Sequence, residues 1–321
     1  MTDSFGSGVI YGVVVTFEPN VERFRQVLQA AAPQLAGLVV VDNSESVQGR
    51  ADSAACCDEV ATAHAQVAVR FADMGTNLGL SQAFNRGIAL AGEQGASHVL
   101  LLDQDSIVGS GMIAALLRGL TPDAATLQAL GRDRPPITVG PWYVDELSGR
   151  RSVVLRSKTL MVGYIPTPVE PKLRMPTEML ISSGSLVPVS AFAELGPLDA
   201  ELFIDHVDTD WALRAHQAGH WLAIIPDANM THRLGDRVLR LWWGRVRLLP
   251  VHSPIRLYYT FRNSLWLYVR PQGHWRWVLF DLRRLLAVTA IHLLAAGPRW
   301  PRLQMIFRGI RDGLLGWRNP R

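Results

Sequence analysis

The chain has 321 residues, of which 48% are apolar and 19% are charged, and its formal net charge is +4 at pH 7. This length supports a full hydrophobic core and predicts one large domain, or one domain with an appendage. Cys56 and Cys57 are adjacent in sequence, which excludes a disulfide framework and indicates free thiols in a reducing compartment. Residues 1–8 are polar and lack the layout of a signal peptide.

The charge is distributed unevenly along the chain. Residues 233–321 contain 17 arginines, no lysine and three acidic residues, a net charge of +14, which leaves −10 for residues 1–232. Seven of the ten tryptophans also lie in this last stretch. We therefore expect two parts, an acidic domain over residues 1–232 and a basic, tryptophan-rich extension over residues 233–321.

The N-terminal part alternates predicted strands with predicted helices. Each predicted strand is a short apolar run without polar alternation, which is typical of a strand buried on both faces. The predicted strands are 9–16, 38–41, 67–71 and 98–102, and the predicted helices are 21–32 and 82–91. This order predicts an α/β fold with a mostly parallel sheet covered by helices.

Four polar residues, Thr16, Asp42, Asp103 and Asp105, each lie where a predicted strand ends. Parallel α/β sheets bind ligands outside the carboxyl ends of their strands, so we expect these residues in one crevice. Asp103 and Asp105 can chelate a hard divalent cation, whose charge would offset the repulsion between two close carboxylates. The alternative is that the two aspartates only begin a solvated loop.

The middle of the chain is less regular. Residues 121–176 are rich in proline, which predicts long loops and short strands that form part of a substrate wall. Residues 181–187 are predicted to form a strand that small residues interrupt. The small residues either let a ligand approach closely or belong to an ordinary edge strand with a bulge. Residues 221–225 are a further buried strand.

A second group of acidic residues begins a predicted helix over 207–217. Asp208 and Asp210 lie in its first turn, where the helix dipole favours anions. Asp210 is spaced to pair with Arg214, whereas Asp208 projects at a different angle and is available to a cleft. His232 follows the strand at 221–225; it is either an ordinary structural histidine or, if it reaches Asp105, a metal ligand.

Together these residues resemble the inverting family 2 glycosyltransferases of GT-A fold, a Rossmann-like α/β fold, and among them the bacterial dTDP-rhamnosyltransferases. The resemblance covers nearly all of residues 9–265. Its motifs, in chain order, are Val-Val-Thr-Phe (14–17), Val-Asp-Asn-Ser (41–44), Asn77-x-Gly79, Ala83-x-Asn85-x-Gly87, Leu-Leu-Asp-Gln-Asp-Ser (101–106), Ser183-Gly184-Ser185, Phe203-Ile204-Asp205, Val207-Asp208-Thr209-Asp210-Trp211, His232 and Tyr258-Tyr259 with Arg262-Asn263.

The resemblance implies roles for individual residues. Asp208 takes the position of the catalytic base; because Val207 stands where the family pattern has Glu, Asp205 is the alternative base. Mg²⁺ or Mn²⁺ would be held by Asp105, with Asp103 and His232 as further ligands. The donor-binding residues would be Thr16, Phe17, Glu18, Asp42, Asn77, Gly79, Asn85, Asp103 and Gln104.

The extension carries arginines among its seven tryptophans. Its longest nearly uncharged run, residues 285–296, would span about 18 Å as a helix, short of the roughly 30 Å hydrocarbon core of a membrane. We expect helices that lie on the membrane surface with Trp and Arg at headgroup depth. The alternatives are an interface between copies of the chain and, as the less favoured reading, a nucleic-acid patch.

The resemblance implies an inverting, metal-dependent rhamnosyltransferase. It would move L-rhamnose from dTDP-L-rhamnose to a lipid-linked saccharide during synthesis of O-antigen or a related polysaccharide. We expect it in the cytoplasm, peripherally attached to the inner membrane. The alternatives are the same fold with a UDP- or GDP-sugar donor, and a catalytically silent nucleotide-sugar-binding or scaffold protein.

Overall fold

The computed structural model describes residues 8–157, 162–165, 174–233, 237–242, 246–251, 253–270, 275–294 and 297–318. Three stretches from the sequence analysis lie partly outside these residues. They are the polar residues 1–8, the proline-rich residues 121–176 and the nearly uncharged run at 285–296. The fold is a mixed α/β architecture with one large, mostly parallel sheet, as predicted.

The first half of the chain forms the parallel half of this sheet and its covering helices. The elements are β1 (Ile10–Thr16), α1 (Val21–Ala31), β2 (Gly37–Asp42), α2 (Val47–Ala63), β3 (Ala68–Asp73), α3 (Leu80–Glu93), β4 (His98–Asp103), β5 (Ile107–Val108), α4 (Met112–Leu120) and α5 (Ala124–Ala129). The four strands and two helices predicted in this half all match observed elements. Helix α2 was not predicted, because its alternating small, polar and apolar residues give it no clear apolar face.

The second half contributes shorter strands and longer helices. The elements are β6 (Thr138–Pro141), β7 (Val144–Asp145), β8 (Val154–Ser157), β9 (Val162–Ile165), β10 (Met175–Thr177), β11 (Leu186–Pro188), α6 (Val189–Leu195), α7 (Val207–Gln217), β12 (Leu222–Ile225), β13 (Met230–His232), β14 (Arg237–Trp242), β15 (Val246–Val251), α8 (Pro254–Val269), α9 (Trp275–Leu294) and α10 (Arg299–Arg318).

The central sheet has eight strands in the order β10-β12-β6-β11-β4-β1-β2-β3. Strands β3, β2, β1 and β4 are parallel, β11 is antiparallel to both β4 and β6, and β12 is parallel to β6. Registers place Thr16 beside Asp42 and Val15 beside Asp103. The carboxyl ends of these strands therefore meet at one edge, as the sequence predicts.

Two hydrophobic cores cover the two faces of the sheet. Alternate residues of each central strand enter opposite cores: Val14 and Leu102 pack on one face with α1 and α4, whereas Val13 and Leu101 pack on the other with α3 and α7. Cys56 is buried in the first core and, like Cys57, is a free thiol. This two-sided burial explains why the strands are continuous apolar runs.

The predicted strand at 181–187 is wrong in its extent. Only Leu186–Pro188 forms a strand, and residues 181–185 form a turn instead. Gly184 has φ +84° in this turn, and the Ser183 Oγ accepts a hydrogen bond from the backbone N–H of Asp103. The small residues therefore serve a turn that contacts the end of β4 and lines the cleft.

The C-terminal helices pack against this domain. Arg270, just after α8, donates hydrogen bonds to Asp199 and to the buried Asp210. Asp210 also accepts a 2.8 Å hydrogen bond from Arg214, the i, i+4 pair expected from the sequence. Among the residues that the structure describes, no helix combines the length and apolar character needed to cross a membrane.

Candidate active site

A cleft of about 680 Å³ opens where the sheet's parallel strands end. Strands β1 and β4, the turn at 181–183, the loop before α7, and the start of α8 form its walls. Its lining residues include Thr16, Phe17, Asn43, Asn77, Gly79, Asp103, Gln104, Asp105, Ser183, Phe203, Asp205, His206, Asp208, His232, Arg256 and Tyr259. Most of the residues predicted as a site thus share one cavity.

Asp103, Asp105 and His232 cluster on one side of the cleft. One ligand atom from each lies within 4.8 Å of the others, although His232 is 127 residues beyond Asp105 in the chain. The buried Oδ1 of Asp105 has no hydrogen-bond partner among the described residues and lies 3.7 Å from His232 Nδ1. An unpartnered buried carboxylate oxygen beside a second carboxylate and an imidazole is a donor set that fits a divalent cation.

Hydroxyl groups hold this cluster in place. Ser183 Oγ donates to Ser106 Oγ at 2.7 Å, and Ser106 Oγ lies 2.7 Å from His232 Nδ1. On the other side, Arg23 Nε donates to the backbone carbonyl of Asp105 at 2.9 Å. Partners of this kind fix the orientation of a metal ligand.

The carboxylates of the cleft repel one another. The pKa of Asp103 is raised to about 6, first because burial disfavours its charged form; Asp105 adds to the rise, and His232 and Arg256 oppose it. A bound divalent cation would stabilise both ionised carboxylates.

The opposite wall of the cleft is a strained loop, residues 203–206. Phe203, Asp205 and His206 all have φ near +60°, a conformation that costs about 1–3 kcal/mol for each non-glycine residue. Helix α8 holds the loop through the buried amide of Asn263, whose Nδ2 contacts the carbonyls of Leu202, Ile204 and Asp205 at 2.8–2.9 Å.

The two predicted base candidates have different surroundings. Asp205 accepts hydrogen bonds from Arg256 at 2.7 Å and from Thr260 at 3.1 Å. Asp208 accepts one from the backbone N–H of Thr209. Burial raises the pKa of Asp208 to about 6, and the nearby charge of Asp205 adds to the rise. The Asp205 carboxylate is therefore bonded by two side chains, whereas the Asp208 carboxylate is bonded by a backbone N–H.

His206, between these two aspartates, is neutral. Arg284 of α9 and Ser264 of α8 lie 3.0 and 2.9 Å from its Nε2. A guanidinium only donates, so Nε2 must accept. Burial lowers the pKa of His206 to about 4, which agrees with this assignment.

The predicted donor-binding residues divide into two groups. Thr16, Phe17, Asn77, Gly79, Asp103 and Gln104 line the cleft. The Gln104 amide pairs with the backbone of Phe17 in both directions, at 2.7 and 3.2 Å. Asn77 closes a turn by accepting from the Gly79 N–H, and Gly79 has φ +87° and no room for a Cβ against Phe203.

Asp42, Glu18 and Asn85 lie outside the cleft lining and bond to protein groups. Asp42 is fully buried and accepts from Thr16, Ser44 and Ser53. Glu18 accepts from the N–H groups of residues 45 and 46. Asn85 joins α3 to the backbone of Leu198 by two hydrogen bonds.

The sequence pattern does not predict the part that α8 plays in the cleft. Ile255, Arg256 and Tyr259 line the cleft, and Tyr259 stacks on Phe203 with ring centroids 4.8 Å apart. The motif Tyr258-Tyr259 with Arg262-Asn263 was noted in the sequence without a role. It could have been assigned only with knowledge that α8 folds back over the loop.

Comparison with known proteins places the chain among sugar transferases. It is 29% identical over 258 residues to the dTDP-rhamnosyl transferase RfbF of Shigella flexneri, covering 80% of this chain and 79% of that protein. It is 30% identical over 240 residues to the N-acetylglucosaminyl-diphospho-decaprenol L-rhamnosyltransferase of Mycobacterium tuberculosis, covering 68% and 74%. No family model matches the chain.

A solved structure supports the fold. The mannosyltransferase PcManGT from Pyrobaculum calidifontis, determined in complex with GDP-Man and Mn²⁺, aligns with a TM-score of 0.55 at 10% identity, over 99% of this chain and 89% of that one. At this identity the likeness shows the fold alone, and it agrees with the GT-A architecture expected from the sequence.

The role of Asn263 is testable through stability. Asn263→Ala leaves three loop carbonyls without this buried partner, so we expect the free energy of unfolding to fall by about 3 kcal/mol. Urea denaturation measures this change. The control is Asn229→Ala, because Asn229 is exposed and its side chain makes only long contacts among the described residues, 3.4 Å to the Asp227 carbonyl and 3.5 Å from Arg151. Equal losses in the two variants would contradict the role.

Proposed function

The chain belongs to the rhamnosyltransferase family of GT-A glycosyltransferases, and we propose that it transfers L-rhamnose from dTDP-L-rhamnose to a lipid-linked saccharide with inversion at the anomeric carbon. The observation that carries the mechanism is the arrangement of the cleft. The Asp103, Asp105 and His232 cluster and Asp208 line the same cavity, so a donor bound between them would have its diphosphate at one side and a base at the other.

In this mechanism the acceptor hydroxyl oxygen attacks the anomeric carbon and forms the new glycosidic bond. Asp208 takes the hydroxyl proton, and the bond to the diphosphate oxygen breaks with its electron pair, releasing dTDP. A Mg²⁺ or Mn²⁺ ion on Asp103, Asp105 and His232 would stabilise the charge of the leaving group. Asp205 is less suited to accept the proton because Arg256 and Thr260 already bond to its carboxylate.

For the donor we propose two kinds of contribution. The cleft-lining residues Thr16, Phe17, Asn77, Gly79, Asp103 and Gln104 would contact dTDP-rhamnose directly. Asp42, Glu18 and Asn85 would act by holding those segments, since their side chains bond to neighbouring protein groups.

The proposed function is tested with purified full-length chain, dTDP-rhamnose, Mg²⁺ and N-acetylglucosaminyl-diphospho-polyprenol, with the product read by mass spectrometry. We expect the acceptor to gain one deoxyhexose residue. UDP- and GDP-sugars are run in parallel: transfer from one of these instead would keep the reaction class and replace the donor. No transfer and no donor hydrolysis from any nucleotide sugar would contradict an enzyme role.

The base assignment predicts a change in rate and in pH dependence. Asp208→Asn should lower kcat by about 10²–10⁴-fold, whereas Asp205→Asn should retain more activity. With the pKa of Asp208 raised to about 6, the base is ionised above that pH. The wild-type kcat/KM should therefore fall about tenfold per pH unit below pH 6. Near-normal turnover by Asp208→Asn would exclude Asp208 as the base.

The proposed metal site predicts weaker ion binding when a ligand is lost. Asp105→Asn should lower the affinity for Mn²⁺ by about tenfold or more, measured by titration calorimetry or electron paramagnetic resonance. Asp227→Asn removes an exposed carboxylate outside the cluster and should bind Mn²⁺ as the wild type does. Unchanged affinity in Asp105→Asn would place any ion elsewhere.

We further propose that α9 and α10 contact an anionic membrane surface, where the lipid-linked acceptor resides. An exposed stripe on α9, spaced as one helical face, consists of Trp275, Leu279, Leu282 and Leu286. Helix α10 exposes Trp300, Phe307 and Leu314 at seven-residue intervals. Exposed arginines, among them Arg276, Arg283 and Arg308, accompany these apolar residues and would pair with lipid phosphates.

Flotation with vesicles containing phosphatidylglycerol tests this surface. Leu286→Glu should lower the bound fraction about tenfold, since burial of one leucine contributes about 1.5–3 kcal/mol. Val47→Glu is the matched control, because Val47 on α2 is similarly exposed, 75% against 72% for Leu286. The alternative is an interface with a second copy of the chain. It would be indicated if the wild type binds no vesicles but self-associates, and Leu286→Glu loses this self-association.

A further inference from the structure

Arg256 extends from the first turn of α8 into the cleft. Its side chain is 32% exposed, and its Nη2 lies 2.7 Å from the Asp205 carboxylate. Asp205 is itself fixed by a hydrogen bond from Thr260, one turn further along α8. The guanidinium is therefore held by a neighbouring loop, and the side chain lines the cavity.

The described lining of the cleft carries several negative charges. Its described lining carries four carboxylates, those of Asp103, Asp105, Asp205 and Asp208. A nucleoside diphosphate entering such a cavity meets strong repulsion, which an ion on the Asp105 side offsets only in part. Arg256 lines the same cavity as Asp103, Asp105 and His232. A diphosphate held beside the metal cluster would therefore share this cavity with the guanidinium.

We infer that Arg256 binds the terminal phosphate of the nucleoside diphosphate, opposite the Asp103, Asp105 and His232 cluster, with Asp205 as the residue that orients its guanidinium. This inference rests on the proposed function. It makes Asp205 a positioning residue and explains why an aspartate that is poorly suited to accept a proton lines the cleft. It also gives the C-terminal extension a direct part in substrate binding.

The chemistry of arginine suits this task. A guanidinium has five donors in a planar fork, so it can bond to Asp205 and to phosphate oxygens together. Charge-assisted, bidentate bonds to phosphate are among the stronger hydrogen bonds in proteins. The terminal phosphate gains negative charge as its bond to the sugar breaks. The contact would therefore strengthen during transfer and favour departure of the nucleotide.

The test compares nucleotides that differ only in the terminal phosphate. The affinities of dTDP and dTMP are measured by titration calorimetry, with and without Mg²⁺, for the wild type, Arg256→Gln and Arg256→Lys. Arg256→Gln should weaken dTDP binding by about 10- to 100-fold in both conditions and change dTMP binding by less than about threefold. Arg256→Lys keeps the charge without the fork and should fall between the wild type and Arg256→Gln.

One control variant separates phosphate binding from an effect on the loop. Arg262→Gln removes an arginine of the same helix that holds the carbonyls of Glu201 and Leu202 and does not line the cleft, so it should bind dTDP within about threefold of the wild type. Asp205→Asn removes the orienting carboxylate and leaves the guanidinium, so it should weaken dTDP binding in the same direction as Arg256→Gln but by less. Circular dichroism confirms that each variant is folded.

The outcomes distinguish the inference from the function on which it rests. If the wild type and Arg256→Gln bind dTDP equally well, the role of Arg256 is overturned and the proposed donor is retained. Equal weakening of dTDP and dTMP, or a loss in Arg262→Gln as large as in Arg256→Gln, also overturns it. A wild type that binds no dTDP overturns the proposed donor, and the inference with it.

Discussion

The cleft depends on the contact between the Asn263 amide and the backbone of residues 202–205. Three non-glycine residues of the loop have positive φ, and this conformation persists only when its surroundings determine it. Asn263 supplies that determination from α8, since its fully buried amide contacts the carbonyls of Leu202, Ile204 and Asp205. Helix α8 also bonds to the Asp205 carboxylate and stacks Tyr259 on Phe203.

Charge is the second constraint on this site. Four aspartates line one cavity, and burial together with mutual repulsion raises the pKa of Asp103 and Asp208 to about 6. Nearby cations stabilise the ionised form of such a cluster. The chain provides Arg256 and, at the metal cluster, a donor set with a carboxylate oxygen on Asp105 that has no partner among the described residues. These charges are complementary to a divalent cation that carries a diphosphate.

The extension is both a candidate membrane surface and a support for the loop at residues 203–206. On α9 the apolar stripe through Leu286 faces outward, whereas Asp281 is buried and accepts from Arg284, which also contacts His206. One helix therefore links the exposed stripe to His206, in the loop that precedes α7. The charge pattern alone suggests that residues 233–321 are an appendage. The contacts of α9 show that this part also packs against the loop. The boundary between the two parts stays a prediction.

The sequence by itself determined the parallel half of the sheet, the helix at 207–217 and the meeting of Asp103 and Asp105 at a strand end. These features follow from local apolar runs and from the rule that parallel strands end at a common edge. Only the tertiary structure decided that His232 joins the two aspartates, that residues 181–185 are a turn, and that Asp42 is buried among hydroxyl groups. It also placed Arg256 in the lining of the cleft and the buried Asn263 against the backbone of the loop. Each of these depends on contacts between segments distant in sequence, which no local pattern of residues encodes.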